Sequence, residues 1–213
     1  MSAHIPLDLT RAVKVTAGVA DLTGNRMEGS GWSSQDGALV EAALVDQARA
    51  GDEAAFEALV RRYQDRLYGI ALRMTGHPHD AQDAVQDALV DAWRGLPRFR
   101  QDAQFSTWLV RVVINRCHDL TRARAKVAAP PDETLADTGA SLEMTVEDRR
   151  RQDAVIAAIA DLPFDQRSAL VLHTFDGRSQ AEVARLLGTT EGAVKVRIHR
   201  ARRALLDTLQ DWR

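Results

Sequence analysis

Residues 178–209, RSQAEVARLLGTTEGAVKVRIHRARRALLDTL, carry two helix-start signals with a glycine between them. Ser179 stands three residues before Glu182, the spacing at which a hydroxyl and a carboxylate cap one helix end reciprocally. Val183, Leu186 and Leu187 follow as the apolar face of a short helix. Gly188 comes where a helix ends in a left-handed residue, and Thr190 is placed to cap the next helix. In that helix Val194, Ile198, Ala201, Leu205 and Leu209 recur at i, i+4, i+7, i+11 and i+15, one stripe of an α-helix. Lys195, Arg197, His199, Arg200, Arg202 and Arg203 fall off the stripe.

Two helices with a tight turn between them make a helix-turn-helix, whose second helix fits the major groove of DNA. From Arg178 to Ala204 there are seven bases (Arg178, Arg185, Lys195, Arg197, Arg200, Arg202, Arg203) and two acids (Glu182, Glu191), leaving +5 on a small unit. That is an electrostatic footprint for phosphate. A solvated basic helix in an ordinary bundle is the plainer alternative, and the agreement of both caps with the turn weighs against it.

The whole chain of 213 residues has a net charge of only −2, so this basic end is offset by acid elsewhere. Strand-like alternation is nearly absent, and the expected class is all-α: two small helical domains joined by a flexible acidic linker. Cys117 is the sole cysteine, which rules out an internal disulfide and a zinc site built on several cysteines. No apolar run approaches the roughly 20 residues that span a bilayer. Residues 12–22 are broken by Lys14 and Asp21 and do not read as a signal peptide. A cytoplasmic protein without direct membrane insertion is expected.

Residues 1–36 read as a flexible arm rich in Gly and Ser, and Met27 is an alternative start. The first domain is placed at residues 37–126. Val40, Ala43, Leu44 and Ala48 give its first helix a face that Gly51 ends. Asp52 can cap the next helix, where Phe56, Leu59, Tyr63, Leu67, Ile70 and Met74 form a long inward stripe broken at Gly76. His79 or Asp80 opens a third helix with Val85, Ala88, Leu89, Ala92 and Trp93 inward. Asp80, Asp83, Gln86, Asp87 and Asp91 crowd its other side. The helix dipole explains acids in the first turn but not Asp87 or Asp91. Two readings stand for this face, a solvated surface and a docking surface for a basic partner. His77, His79 and Asp83 fit no metal-ligand spacing, and no metal is expected.

A loop at residues 98–104 sets Phe99 between Arg98 and Arg100. A fourth helix follows, with Ser106 or Thr107 as cap and Arg111, Arg116, Arg122, Arg124 and Lys126 along it. Rings beside basic side chains suit single-stranded DNA, with bases stacked on rings and Arg or Lys along the backbone. Core burial of Phe105 and Trp108 is the equal alternative. Residues 127–150 are the expected linker: Pro130, Pro131 and Gly139 break helix, and six acids against two bases leave −4. The second domain is placed at residues 151–213, with Val155, Ile156 and Ile159 in a helix, Asp165 as cap of a short one, then the helix-turn-helix.

Taken in order, GDEAAFEALVRRY, DAQDAVQDALVDAW and FSTWLVRVVINRCHD resemble region 2 of bacterial RNA polymerase sigma factors, and LPFDQRSALVLHTFDGRSQAEVARLLGTTEGAVKVRIHRARRAL resembles region 4. The chain resembles the extracytoplasmic function (ECF, group IV) class, with no segment like region 1.1 or a globular region 3. The resemblance implies a non-catalytic subunit that binds core RNA polymerase and promoter DNA. It implies that Asp80, Asp83, Gln86 and Asp87 dock on the polymerase clamp helices. The loop with Arg98, Phe99 and Arg100 would capture a flipped base of the −10 element. Phe105, Trp108, Asn115, Arg116 and Asp119 would melt and read that element. Glu191, Lys195, Val196, His199 and Arg200 would lie on the −35 helix, with Arg197 and Arg202 on phosphate. The linker would thread through polymerase toward the RNA exit path. The class also implies an anti-sigma factor as partner. Leu89 stands where the family often has a larger aromatic, and Val196 where it often has a small polar residue.

The rival reading is a stand-alone helix-turn-helix transcriptional regulator whose first domain binds a ligand or a second copy. That leaves the acidic helix and the segment from Phe99 to Trp108 without a role. A Gly-rich phosphate loop, a nucleophile motif and a metal cluster are all missing, so the chain is not read as an enzyme, and neither a cofactor nor a small-molecule substrate is expected.

Overall fold

The computed structural model describes residues 35–100, 104–127 and 146–209. The N-terminal arm, Met27, most of the linker and part of the loop after Arg100 lie outside them. Every regular element among the described residues is helical. The first half holds α1 (Gln35–Arg49), α2 (Glu53–Thr75), α3 (Pro78–Gly95), a 3₁₀ turn (Leu96–Arg98) and α4 (Phe105–Val127). The second holds α5 (Val146–Ala160), α6 (Phe164–Leu170), a π-helical turn (Val171–Phe175), α7 (Gln180–Leu187) and α8 (Glu191–Thr208).

Helix α2 is the axis of the molecule, packing on α1, α3, α4 and, across the two halves, α5. The Asp52 carboxylate caps it, accepting from the Ala54 and Ala55 amides at 2.9 and 3.1 Å. All six residues of its expected stripe are buried, and Val60, Ala71 and Leu72 with them, because neighbours enclose it on several sides. Each large apolar side chain so buried contributes roughly 1.5–3 kcal/mol. Gly76 ends α2 at a φ of 81°, where a side chain is strained. A β-carbon there would also lie 2.5 Å from that of Ala160, so glycine lets α5 come close.

Three local expectations are corrected. On α1 the inward row is Glu41, Leu44, Val45 and Ala48, while Val40 and Ala43 are exposed. The helix is turned so that the Tyr63 hydroxyl donates to the Glu41 carboxylate at 2.6 Å. Helix α4 starts at Phe105, so Ser106 and Thr107 lie in its first turn rather than capping it. Helix α6 starts after Pro163, and Asp165 lies inside it instead of capping it.

The halves share one continuous apolar core. Arg167 of α6 is buried in it, donating to the Leu162 carbonyl at 2.8 Å and to the Met74 carbonyl at the end of α2. These carbonyls belong to helix ends and would otherwise lack donors. Around them the Arg73 guanidinium covers the Phe175 ring at 4.5 Å, and the His118 and Phe164 rings meet at 4.6 Å.

Candidate nucleic-acid and partner interfaces

The helix-turn-helix forms as its local signals predict. The Glu182 amide donates to Ser179 Oγ at 3.2 Å, and the Ser179 amide donates back to the Glu182 carboxylate at 2.8 Å. The Ser179 hydroxyl, which donates to the same carboxylate at 2.7 Å, and then the Ser179 amide hold the Glu182 carboxyl below its ordinary pKa. Gly188 turns the chain at a φ of 63°, and the Ala193 amide donates to Thr190 Oγ1 at 3.2 Å. On α8, Val194, Ile198 and Ala201 are buried. Val196, His199 and Arg200 are exposed on the opposite side, and Glu191, Lys195 and Arg202 are exposed along the flank of the buried stripe. Arg197 is different: half-buried, its Nε forms an ion pair with the Asp165 carboxylate at 3.1 Å.

The acids of α3 fall into two sets. Asp83, Gln86 and Asp87 are exposed along one row. Asp80 was expected beside them but is only 7% exposed, and the Arg124 guanidinium donates to it. Asp91 likewise accepts from Arg116 Nε at 2.6 Å. Both inward carboxylates tie α3 to α4, so Asp80 is taken off the outward face. Burying a carboxylate demands such a partner.

Four rings cluster where the 3₁₀ turn meets α4. Phe99 stacks on Trp108 with centroids 5.0 Å apart, Phe105 on Trp108 at 5.7 Å, and Tyr63 meets Phe105 at 5.9 Å. Phe99 and Phe105 are 6% and 4% exposed, so their faces are spent on one another and the expectation that they offer free stacking faces to bases is corrected. Trp108 is half-buried, and Arg98 and Arg100 are exposed on either side of Phe99. Along α4 Arg111, Asn115 and Asp119 stand at i, i+4 and i+8 on an exposed row, with Arg122 three residues further on. Arg116 sits beside this row, held by Asp91.

Two residues have roles that sequence spacing does not show. Thr107 accepts from the Arg178 guanidinium at 2.9 Å, and Arg178 also donates to Asp176 at 2.7 Å. Arg178 is thus buried between the halves and is not part of the DNA-facing charge. Among the described residues no group of His, Cys, Asp and Glu is arranged to hold a metal ion, and no helix is long and apolar enough to cross a membrane.

A helix-turn-helix with an outward basic reading face, joined to a helical unit with an acidic row, defines a DNA-binding protein built in two parts. Residues 59–127 match the family Sigma-70 region 2, and residues 152–205 match Sigma-70, region 4. The ECF RNA polymerase sigma factor SigM of Mycobacterium tuberculosis is 41% identical over 168 residues, 78% of this chain and 82% of SigM. The RNA polymerase sigma-H factor of Pseudomonas aeruginosa is 34% identical over 178 residues, 78% of this chain and 92% of that protein. The solved structure of CnrH in complex with the cytosolic domain of CnrY superposes with a TM-score of 0.62 at 30% identity, covering 81% of this chain and 98% of CnrH. The chain belongs to the ECF class of sigma-70 RNA polymerase sigma factors.

Proposed function

We propose that this protein binds core RNA polymerase and directs it to promoters by reading a −35 element with α8 and a −10 element with the α4 side of the first half. Asp83, Gln86 and Asp87 are the docking row for polymerase. Lys195, Val196, His199 and Arg200 read bases and Arg202 anchors to phosphate, with Glu191 at the start of the helix. Arg98, Arg100, Trp108, Asn115, Arg116 and Asp119 serve the −10 element, and Phe99 and Phe105 hold Trp108 in place from behind. The promoter-reading units are residues 35–127 and 146–213: α1 begins at Gln35, α4 runs to Val127 and α5 begins at Val146, which narrows the linker expected at 127–150 to 128–145 and the arm expected at 1–36 to 1–34. The protein acts in the cytoplasm and has no catalysis of its own.

The observation that carries this reading is that one chain presents two unlike outward surfaces, a basic groove-reading helix and an acidic row. A regulator that works alone needs the first and has no use for the second. An anti-sigma partner fits as well, because one binder can cover two units that lie side by side, and CnrH was solved with a protein domain bound to it.

Promoter geometry adds a requirement. Elements near −10 and −35 are roughly 25 base pairs apart, about 85 Å along B-DNA. A compact chain of 213 residues has a radius of gyration of only about 17 Å. The halves therefore separate when both elements are bound.

The test is transcription by core polymerase reconstituted with the full chain on a promoter library. Initiation that depends on both elements, with copurification of chain and core, is the expected result. DNA binding without any association with core would favour the stand-alone regulator instead.

A further inference from the structure

Among the described residues five large apolar side chains are exposed: Leu39, Val40, Phe175, Val196 and Leu206. Isolated ones are ordinary on a protein surface. Leu39 and Val40 lie on the outer side of α1, Arg73 covers Phe175, and Leu206 is in the last turn of α8. Val196 is placed differently. It sits in the second turn of the recognition helix, 48% exposed, with Lys195, Arg197, His199 and Arg200 around it in sequence.

Its direction follows from helix geometry. Val196 is two residues after the buried Val194 and two before the buried Ile198, roughly 200° around the helix from each. It therefore points straight away from the core, along the line on which the helix would meet base edges. One turn earlier on the same row is Gly192, which has no side chain and open space where one would be. Nothing on that row stands between the N-terminal end of the helix and an approaching duplex before Val196. The side chain is also stiff, because β-branching leaves valine one dominant rotamer in a helix.

A major groove offers hydrogen-bonding groups everywhere and one apolar group, the C5 methyl of thymine. We infer that Val196 reads a thymine in the −35 element by packing its branched methyls on that group. This rests on α8 being the −35 helix, and it adds the base that this position selects. Cytosine at the same place has no methyl, so the packing contact is lost there, while the polar group of either pyrimidine is equally unmatched by valine.

The experiment uses holoenzyme reconstituted from core polymerase and the full chain, on a −35 sequence selected from a random library. Each thymine of that element, on both strands, is replaced in turn by deoxyuridine, which removes the methyl and leaves every polar group in place. At one position initiation should fall about fourfold, which corresponds to about 0.8 kcal/mol, the value of one buried CH₂ group. Val196→Ala should start at the lower rate and show no further loss with deoxyuridine there. The inference is overturned if no thymine is sensitive, or if Val196→Ala keeps the same sensitivity. Transcription indifferent to scrambling the whole −35 element would overturn the underlying assignment of α8, and this inference with it.

Discussion

Arg66 and Asp176, 110 residues apart, form a two-pronged ion pair between the halves of the molecule. Arg66 Nε donates to Asp176 Oδ1 at 2.5 Å and a terminal nitrogen donates to Oδ2 at 3.0 Å. The Asp176 carboxylate is 1% exposed, whereas the Arg66 side chain is 38% exposed. Arg178, itself buried, donates to the same carboxylate. The paired-fork geometry is the one in which arginine and carboxylate bond most strongly.

The asymmetry in exposure predicts unequal effects of truncation. Asp176→Ala leaves the buried Arg178 without its counter-charge and should cost about 3–5 kcal/mol. Arg66→Ala removes a partner that is partly in water and should cost about 1 kcal/mol or less. Urea unfolding of the two variants decides the point, and equal losses would show that the carboxylate is not the centre of this contact.

The division of the α3 acids predicts separable defects. Reversing both Asp83 and Asp87 to Arg should weaken binding to core polymerase while changing stability by less than about 0.5 kcal/mol, since both are exposed. Asp80→Ala should do the opposite, costing about 1 kcal/mol of stability through the lost Arg124 bond and sparing core binding. Pull-down and thermal melting of the two variants, read together, check both halves of the statement.

On the recognition helix, Lys195 and Arg202 should differ in kind. Lys195→Ala should relax preference at one −35 position, because a base contact gives roughly 1–3 kcal/mol of discrimination. Arg202→Ala should weaken all sequences alike and lower the salt slope by about one unit. Arg197→Ala should have a smaller DNA effect than Arg202→Ala, since Arg197 is already engaged by Asp165. Ile198→Asp should unfold the second half by burying an unpaired charge. Identical preference profiles for the Lys195 and Arg202 variants on a −35 library would refute the split between reading and anchoring.

Burial pushes the Cys117 thiol from 9.0 up to about 12, and burial with the hydroxyl bond to Glu41 pushes Tyr63 from 10.0 up to about 12. Both groups keep their protons in the fold and lose them more readily when unfolded. Their contribution to stability is thus complete below about pH 9 and is lost as pH rises toward 12. Alkylation of Cys117 by iodoacetamide at pH 8 should be negligible in the folded chain and complete in denaturant. Rapid labelling under native conditions would contradict the burial of this thiol.

Much of the fold is legible in the order of residues because its signals act within one helical turn. Ser179 with Glu182, Gly188, Thr190 and Asp52 each meet groups no more than four residues away. The stripes from Phe56 to Met74 and from Val194 to Ala201 follow from the helical period alone. Those local signals suffice to mark a recognition helix and its outward charges.

What stays hidden is which of several like residues turns inward, because partners far along the chain decide it. Asp80 and Asp83 are the same residue three apart on one helix, and only the arrival of Arg124, 44 residues on, separates them. The rotation of α1 is set by Tyr63, 22 residues from Glu41. Arg178 counts as DNA-facing charge until Thr107, 71 residues away, is brought to it. Phe99 and Phe105 have the residue types of a stacking platform, yet Tyr63 and Trp108 close over them. Such contacts cost chain entropy to form and repay it only through burial. Helical periodicity carries the spacing of side chains along one element, whereas tertiary packing alone decides which elements stand opposite, and so which charges remain free for polymerase and DNA.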